Sequence, residues 1–340
     1  MASTPEMMKS AILSGIRKTL IELGSATKVE LSDKLKISFP TISKFIGQME
    51  TEGEVTSVGL DKSSGGRRAK RYTYNSDHML GLAIFLEKTE TNFTICNCSG
   101  EIKEQGNVPS VLIEDGLSLL TKCIESIVTN HPKISSIAIG VPGSVDNGQI
   151  FFIPGYDQFQ HFDLKGYLEE YFSLPVTVEN DMNAAVIGID NRQGNQHNKS
   201  LVYLYFGQNG PGAGLLINGD VVRGSTFFAG EVAFVPQYND LNFQRAFERG
   251  IEYKTISINE TDQIDAISRL IASFVAIINP HEIIFVRNEI EEGVLDKIAE
   301  VSSKYIPSEH LPELTRSDWK QDYLVGLQRL GLDLIMNKVN

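Results

Sequence analysis

Apolar positions in the first fifty residues recur at helical spacing. Met8, Ile12, Ile16 and Leu20 make one stripe, with Pro5 near a helix start and Gly24 where the helix would stop. A second predicted helix runs from Thr27 to Lys36 and packs Val29, Leu31 and Leu35. In a third, Phe39 to Met49, Pro40 suits the first turn, where its missing N–H costs nothing, with Ser38 or Phe39 as cap. Ile42, Phe45, Ile46 and Met49 form its buried face, so Thr41, Ser43, Lys44 and Gln48 are left outside. From Leu80 the pattern changes to strands alternating with helices. Leu80–Phe85 and Asn92–Asn97 read as paired strands, Leu117–Thr129 as a helix and Ile134–Val141 as a buried strand. A helix around Leu164–Tyr171 and a strand Val176–Val178 follow, which predicts an α/β body with a mixed sheet.

Between the two patterns lies Ser63-Ser64-Gly65-Gly66-Arg67-Arg68-Ala69-Lys70-Arg71, two glycines and four cations flanked by strands. Three helices alone are equally consistent with a protein-interaction domain bearing a solvated face. A basic, glycine-tipped hairpin at their end favours a winged helix-turn-helix that binds duplex DNA. The candidate DNA-contacting residues are Ser38, Thr41, Ser43, Lys44 and Gln48 on the recognition helix and Arg67, Arg68, Lys70 and Arg71 on the wing. Residues 1–76 hold twelve Lys and Arg against eight Asp and Glu, whereas the rest holds 19 against 35. An acidic body is repelled by DNA, so binding must be focused through the basic head and depend on salt.

With 340 residues and 41% hydrophobic content, the chain can hold two or three domains. It has no apolar run long enough to span a membrane and no signal-peptide pattern, so a cytoplasmic protein without a membrane partner is expected. Cys96, Cys98 and Cys123 form no even disulfide set, and the first two alternate along a strand as a buried thiol and its neighbour rather than metal ligands.

Ligands in open α/β sheets bind beyond the carboxyl ends of strands, where Pro142-Gly143 and Asn180-Asp181 are expected. Asn180-Asp181 has two readings. The carboxylate and amide could grip a polyol, or they could cap the helix that opens at Met182. Gly210-Pro211-Gly212-Ala213-Gly214 lies between two strands, so it reads as a hairpin turn and not as a dinucleotide or P-loop site.

The ordered motifs resemble those of the ROK family of repressors and sugar kinases. They are the Gly-Gly-Arg-Arg wing, Gly140-Val141-Pro142-Gly143-Ser144-Val145-Asp146, Val178-Glu179-Asn180-Asp181-Met182-Asn183-Ala184-Ala185, the glycine turn, Arg223-Gly224, Ala229-Gly230-Glu231 and Asn279-Pro280-His281-Glu282-Ile283-Ile284. The resemblance covers nearly the whole chain. It implies a multidomain α/β protein, with an N-terminal winged helix-turn-helix on an actin-like, ribonuclease-H-like body of two lobes and a sugar between them. By matching position it assigns sugar contacts to Gly143, Asn180, Asp181 and Glu231, and puts Asp181 where the kinases have their catalytic base.

Departures from the kinase branch are specific. The kinases' Asp-x-Gly-Gly-Thr turn is replaced by Leu86-Glu87-Lys88-Thr89, their phosphate-side threonine by Asn209, and their adenosine-side Gly-Gly by Arg287-Asn288. The family's zinc-site histidine is Phe234, and no cysteine follows Cys123. Phosphoryl transfer relies on positioning and charge stabilisation, so these losses imply a non-enzyme without metal or cofactor, in which Asp181 is not catalytic. The expectation is a DNA-binding repressor, a homodimer or homotetramer on an operator, whose body senses a sugar effector or serves as an oligomerisation scaffold. An active ATP-dependent sugar kinase with a DNA-binding head is the alternative. The expected domains are residues 1–76 for the head, 77–185 with the C-terminal helix 318–340 for the first lobe, and 186–317 for the second.

Overall fold

The structure is a computed structural model. It describes all residues except 1–4, 61–67, 114, 154–158, 195–197, 208–209, 250–257, 259–260 and 339–340. The chain opens with α1 (Pro5–Leu23), β1 (Ala26–Thr27), α2 (Lys28–Leu35), α3 (Phe39–Thr51), β2 (Val55–Leu60) and β3 (Lys70–Tyr74). β3 lies between β1 and β2 and is antiparallel to both. Thr27 and Glu30 fix the start of α2 as a reciprocal capping box: Glu30 N–H donates to Thr27 Oγ1 at 3.2 Å and Thr27 N–H to Glu30 Oε2 at 2.7 Å. Leu13, Ile16, Leu20, Leu31, Ile42, Phe45, Ile46 and Met49 form the head's core.

Two residues expected inside that core are outside it. Val29 is 52% exposed, because it stands two residues, about 200° of helix rotation, from the buried Leu31. Met8 is 57% exposed, one turn before the part of α1 that packs.

The first lobe contains β4 (Leu80–Leu86), β5 (Glu90–Asn97), β6 (Ile102–Pro109), α4 (Gly116–Asn130), β7 (Ile134–Val141), β8 (Ser144–Asp146), β9 (Gln149–Phe152), β10 (Phe162–Asp163), α5 (Leu164–Phe172), β11 (Val176–Asn180) and α6 (Asp181–Arg192). Its main sheet has the order β11-β7-β4-β5-β6, and β8, β9 and β10 make a separate small sheet. Every residue of β4 and β7 is buried, as expected for central strands covered on both faces.

The second lobe contains β12 (Leu201–Tyr205), β13 (Gly212–Ile217), β14 (Asp220–Val221), α7 (Phe243–Phe247), α8 (Thr261–Ile278), β15 (Glu282–Val286), α9 (Glu292–Ser302) and β16 (Glu313–Ser317), and the chain ends in α10 (Trp319–Met336). Its sheet order is β14-β13-β12-β15-β16. Both lobes therefore wind alike: an antiparallel run of three strands, then two parallel strands reached through helices. This is the two-lobed, actin-like arrangement of ribonuclease-H-like halves.

α6 and α10 cross between the sheets at glycines. A Cβ on Gly188 would stand 1.8 Å from the Asp322 carbonyl oxygen, and one on Gly326 would stand 1.8 Å from that of Ala184. α10 also packs on β4 and β7, where Ser136 Oγ donates to the Gly331 carbonyl at 2.9 Å. The two lobes thus meet through backbone contact, and the carboxyl ends of β7 and β11 open toward the glycine hairpin of the second lobe.

Candidate functional site

On the head, the outward residues of α3 are already partly engaged. Ser38 and Thr41 share a hydroxyl–hydroxyl hydrogen bond at 2.8 Å, Ser43 Oγ accepts from Lys28 Nζ at 3.0 Å, and Gln48 donates to Glu52 at 2.8 Å. Lys44 is fully on the exposed face, as is Arg68, whereas Arg67 lies outside the described residues. The strand after the wing holds its cations differently. Lys70 pairs with Glu50 at 2.7 Å, and Arg71 pairs with Glu30 at 3.2 Å and donates to the Ser25 carbonyl at 2.9 Å. Arg71 therefore ties the base of the wing to the start of α2.

In the body, a cleft between the lobes, partly open to solvent, brings Gly143, Asn180, Asp181 and Glu231 together. Asn180 is the cap of α6. Its Oδ1 accepts from the N–H groups of Met182 and Asn183 at 2.9 and 3.0 Å, while Nδ2 donates to the Gly143 carbonyl and to Asp181 Oδ1, each at 3.0 Å. The capping reading holds, and the same amide also braces the carboxylate. Asp181 Oδ1 additionally accepts from Met182 N–H at 2.8 Å. No donor among the described contacts meets Oδ2.

Burial between the lobes pushes the Asp181 carboxyl up to about 7, and the facing Glu231 carboxylate adds to the shift. Burial raises Glu231 as well. Arg223 lines the same cleft but is held by Glu179, whose other oxygen accepts from Asn183 Nδ2 at 3.0 Å. Two carboxyl groups thus face the cleft with its lining cation, Arg223, already paired, which suits hydroxyl donors better than an anion.

Residues not singled out from the sequence complete the walls. Phe227 lines the cleft with φ of 58°, in the left-handed region, and stacks on Phe151 across the lobes at 5.9 Å with an 8° interplanar angle. A side chain in this backbone region is uncommon, and no periodicity announces it. Beyond Asp181, Phe85, Tyr323, Trp319 and Tyr205 form a continuous aromatic series with neighbouring centroids 5.2, 5.4 and 5.0 Å apart. Lys320 bridges Glu87 and Glu90 at 3.2 and 3.3 Å above it.

Phe234 does not line the cleft. It is 60% exposed and tilts against Phe228 at 5.2 Å, so it neither closes the pocket nor touches its contents. Next to it, Phe243 and Phe247 pack with Phe206 at 5.9 and 5.0 Å. Among the described residues no group of three or more His, Cys, Asp or Glu could hold a metal. Cys96 and Cys98 are buried, and burial raises their thiols to about 12 and about 11. Asn209 lies outside the described residues, and Arg287 and Asn288 are exposed after β15. No described helix is long and apolar enough to cross a membrane.

This fold and cleft define a ROK-type body. Residues 82–240 match the ROK family model, and the chain carries a domain of that family. The xylose repressor of Caldicellulosiruptor bescii is 30% identical over 239 residues, covering 67% of this chain and 58% of its own length. The chain therefore spans well under two thirds of the curated relatives it matches. A crystal structure of a ROK family transcriptional regulator, a homologue of the Escherichia coli MLC protein, superposes with a TM-score of 0.75 at 18% identity, covering 97% of this chain and 98% of the other. A ROK hexokinase from Thermus thermophilus superposes with a TM-score of 0.62 at 21% identity, covering 76% of this chain and 100% of the other. The regulator thus matches head and body together, whereas the whole hexokinase fits within three quarters of the chain.

Proposed function

We propose that this protein is a DNA-binding transcriptional repressor whose interlobe cleft binds a sugar and does not phosphorylate it. The observation that carries the reading is the joining of a winged helical head to a sugar-kinase-like body in one chain, at near full-length likeness to a regulator. Ser38, Thr41, Ser43, Lys44 and Gln48, with the wing cations Arg67, Arg68, Lys70 and Arg71, form its duplex contact. A dimer or tetramer places two heads on a two-fold operator, because one small winged module makes few contacts alone. Gly143, Asn180, Asp181 and Glu231 form the sugar contact, in which Asn180 acts as the brace and Asp181 as the hydroxyl acceptor.

The nucleotide side supports a non-enzymatic role. The turn that would approach phosphate reads Glu87-Lys88-Thr89, Lys320 is tied to Glu87 and Glu90 beside it, and Trp319 and Tyr205 line the same space with Asp181. Phosphoryl transfer has little to draw on where a carboxylate replaces the glycine-rich turn. The test has two arms. Selection of bound duplexes from a random DNA pool should yield a roughly two-fold site whose occupancy falls steeply with salt and changes when sugar is added. A coupled ADP assay over hexoses and pentoses should show no turnover. Asp181-dependent turnover would establish the kinase reading instead, and absence of any salt-sensitive DNA binding would remove the repressor reading.

A further inference from the structure

The first turn of α3 is built open. Ser38 stands at the cap position, yet its hydroxyl bonds Thr41 Oγ1 at 2.8 Å and accepts from no backbone N–H of the helix. The N–H groups of Phe39 and Thr41 are thus left without the acceptor a cap supplies, and an uncapped helix start suits a phosphate. Further along the same helix, Gly47 faces open space, where an added Cβ would meet nothing. A glycine inside a helix weakens it, and no packing in the head calls for this one. It keeps the outward face low, so that a groove edge can come close.

Phe39 is the first residue of α3 and is 49% exposed. It belongs neither to the head's core nor to the side chains packed against it, whereas Ile37, two residues earlier, does pack there. Side chains on a helix lean toward its N-terminus, so a ring at the first position leans past the end of α3. In a helix-turn-helix that end reaches the base edges. Its hydroxyls read little, because Ser38 and Thr41 can each donate or accept. A phenyl ring does neither, and the one apolar group on a base edge in the major groove is the 5-methyl of thymine. Wedging a ring between base steps is a minor-groove device, whereas a helix enters the major groove.

We propose that Phe39 is a specificity-determining residue whose ring packs on the 5-methyl group of one thymine in each half of the operator. The proposal rests on the head binding duplex DNA and goes beyond it by naming one base and the side chain that reads it.

The test uses the full-length chain and a duplex selected from a random pool. Each thymine of that duplex is replaced in turn by deoxyuridine, which keeps the pairing and the charge and removes only the methyl group. At one thymine per half-site the replacement should weaken binding about fourfold, the worth of one buried methyl group. Phe39→Ala should bind the thymine and deoxyuridine duplexes equally, both more weakly than the unsubstituted protein binds the first, and should melt at an unchanged temperature. Phe39→Leu, which keeps an apolar side chain, should retain part of the thymine preference. Deoxyuridine without effect at every position, or a methyl effect that survives Phe39→Ala undiminished, overturns the assignment and leaves DNA binding standing. Loss of self-association in Phe39→Ala, read by sedimentation, with the methyl effect intact, overturns it too and puts the ring between two copies of the chain. No salt-sensitive binding of any duplex overturns the DNA reading itself.

Discussion

Arg17 and Glu54 meet as a fully buried ion pair, Nε to Oε1 at 2.5 Å, both side chains 0% exposed. The same guanidinium donates to the carbonyls of Ile335, Met336 and Lys338 at 3.4, 3.2 and 2.5 Å. Those carbonyls close the C-terminus of α10, which an intrahelical donor cannot reach and which favours a cation. One side chain of α1 therefore joins the turn after α3 to the end of the helix whose first turn lines the space beyond Asp181. Ser10 and Ser14 add hydrogen bonds from α1 to Asn337 at 2.8 and 2.9 Å, and Ile335 and Met336 enter the head's core.

Removing one partner of such a pair leaves the other buried and unmatched. Arg17→Met should cost about 3–5 kcal/mol in urea unfolding. Arg17→Met with Glu54→Leu should recover part of that loss, because no lone charge remains. A single variant costing under about 1 kcal/mol would show that water reaches the pair.

The crossing of α6 and α10 should be as intolerant of volume. Gly326→Ala puts a methyl group against the Ala184 carbonyl, a backbone atom that no rotamer change can move aside. The helices must separate, at a cost of about 1–3 kcal/mol or more, read as a lowered melting temperature. Gly293→Ala, where an added Cβ meets nothing, is the matched control and should leave it unchanged or raised.

Asp181 should give the protein a pH signature in two opposite senses. Its folded-state pKa of about 7 lies above the ordinary 3.8, so between those values the folded chain holds a proton that the unfolded chain has released. Its contribution to stability therefore falls as pH rises, by up to about 1.4 kcal/mol per unit, and levels off above pH 7. Sugar affinity should rise over the same interval, because the ionised carboxylate is the better acceptor of hydroxyl donors. Asp181→Asn should flatten both trends. Sugar titrations at pH 5.5 and 8 giving equal affinity in the unsubstituted protein would exclude Asp181 as the acceptor.

DNA binding should weaken with Lys44→Ala and Arg68→Ala, two exposed cations of the proposed interface. If each neutralises one phosphate, the double variant should reduce the slope of log K against log salt by about 2. Arg71→Ala should cost stability in addition to DNA affinity, since its guanidinium also holds Ser25 and Glu30. An unchanged salt slope in the double variant would place the contact surface elsewhere.

Local chemistry made the head and the order of elements legible in the sequence. Ile42, Phe45, Ile46 and Met49 mark a helix face by spacing, Pro40 marks its first turn, and the apolar run Ile134–Val141 marks a central strand, because each signal lies within a few residues. The same short range put Asn180-Asp181 at a strand end and left capping and ligand binding as alternatives. The tertiary structure shows the cap, with Asn180 capping α6 through its oxygen while its nitrogen donates both to Asp181 and to the Gly143 carbonyl 37 residues away. The likeness of the two sheets was likewise hidden, because strand order is a property of pairing and leaves no repeat in the residues themselves. Nothing local to α1 marks Arg17, which is buried by α10 from 318 or more residues away. In each case the deciding partner is distant in sequence, and burial, which sets the cost of an unmet charge or hydroxyl, exists only once the chain has closed around it.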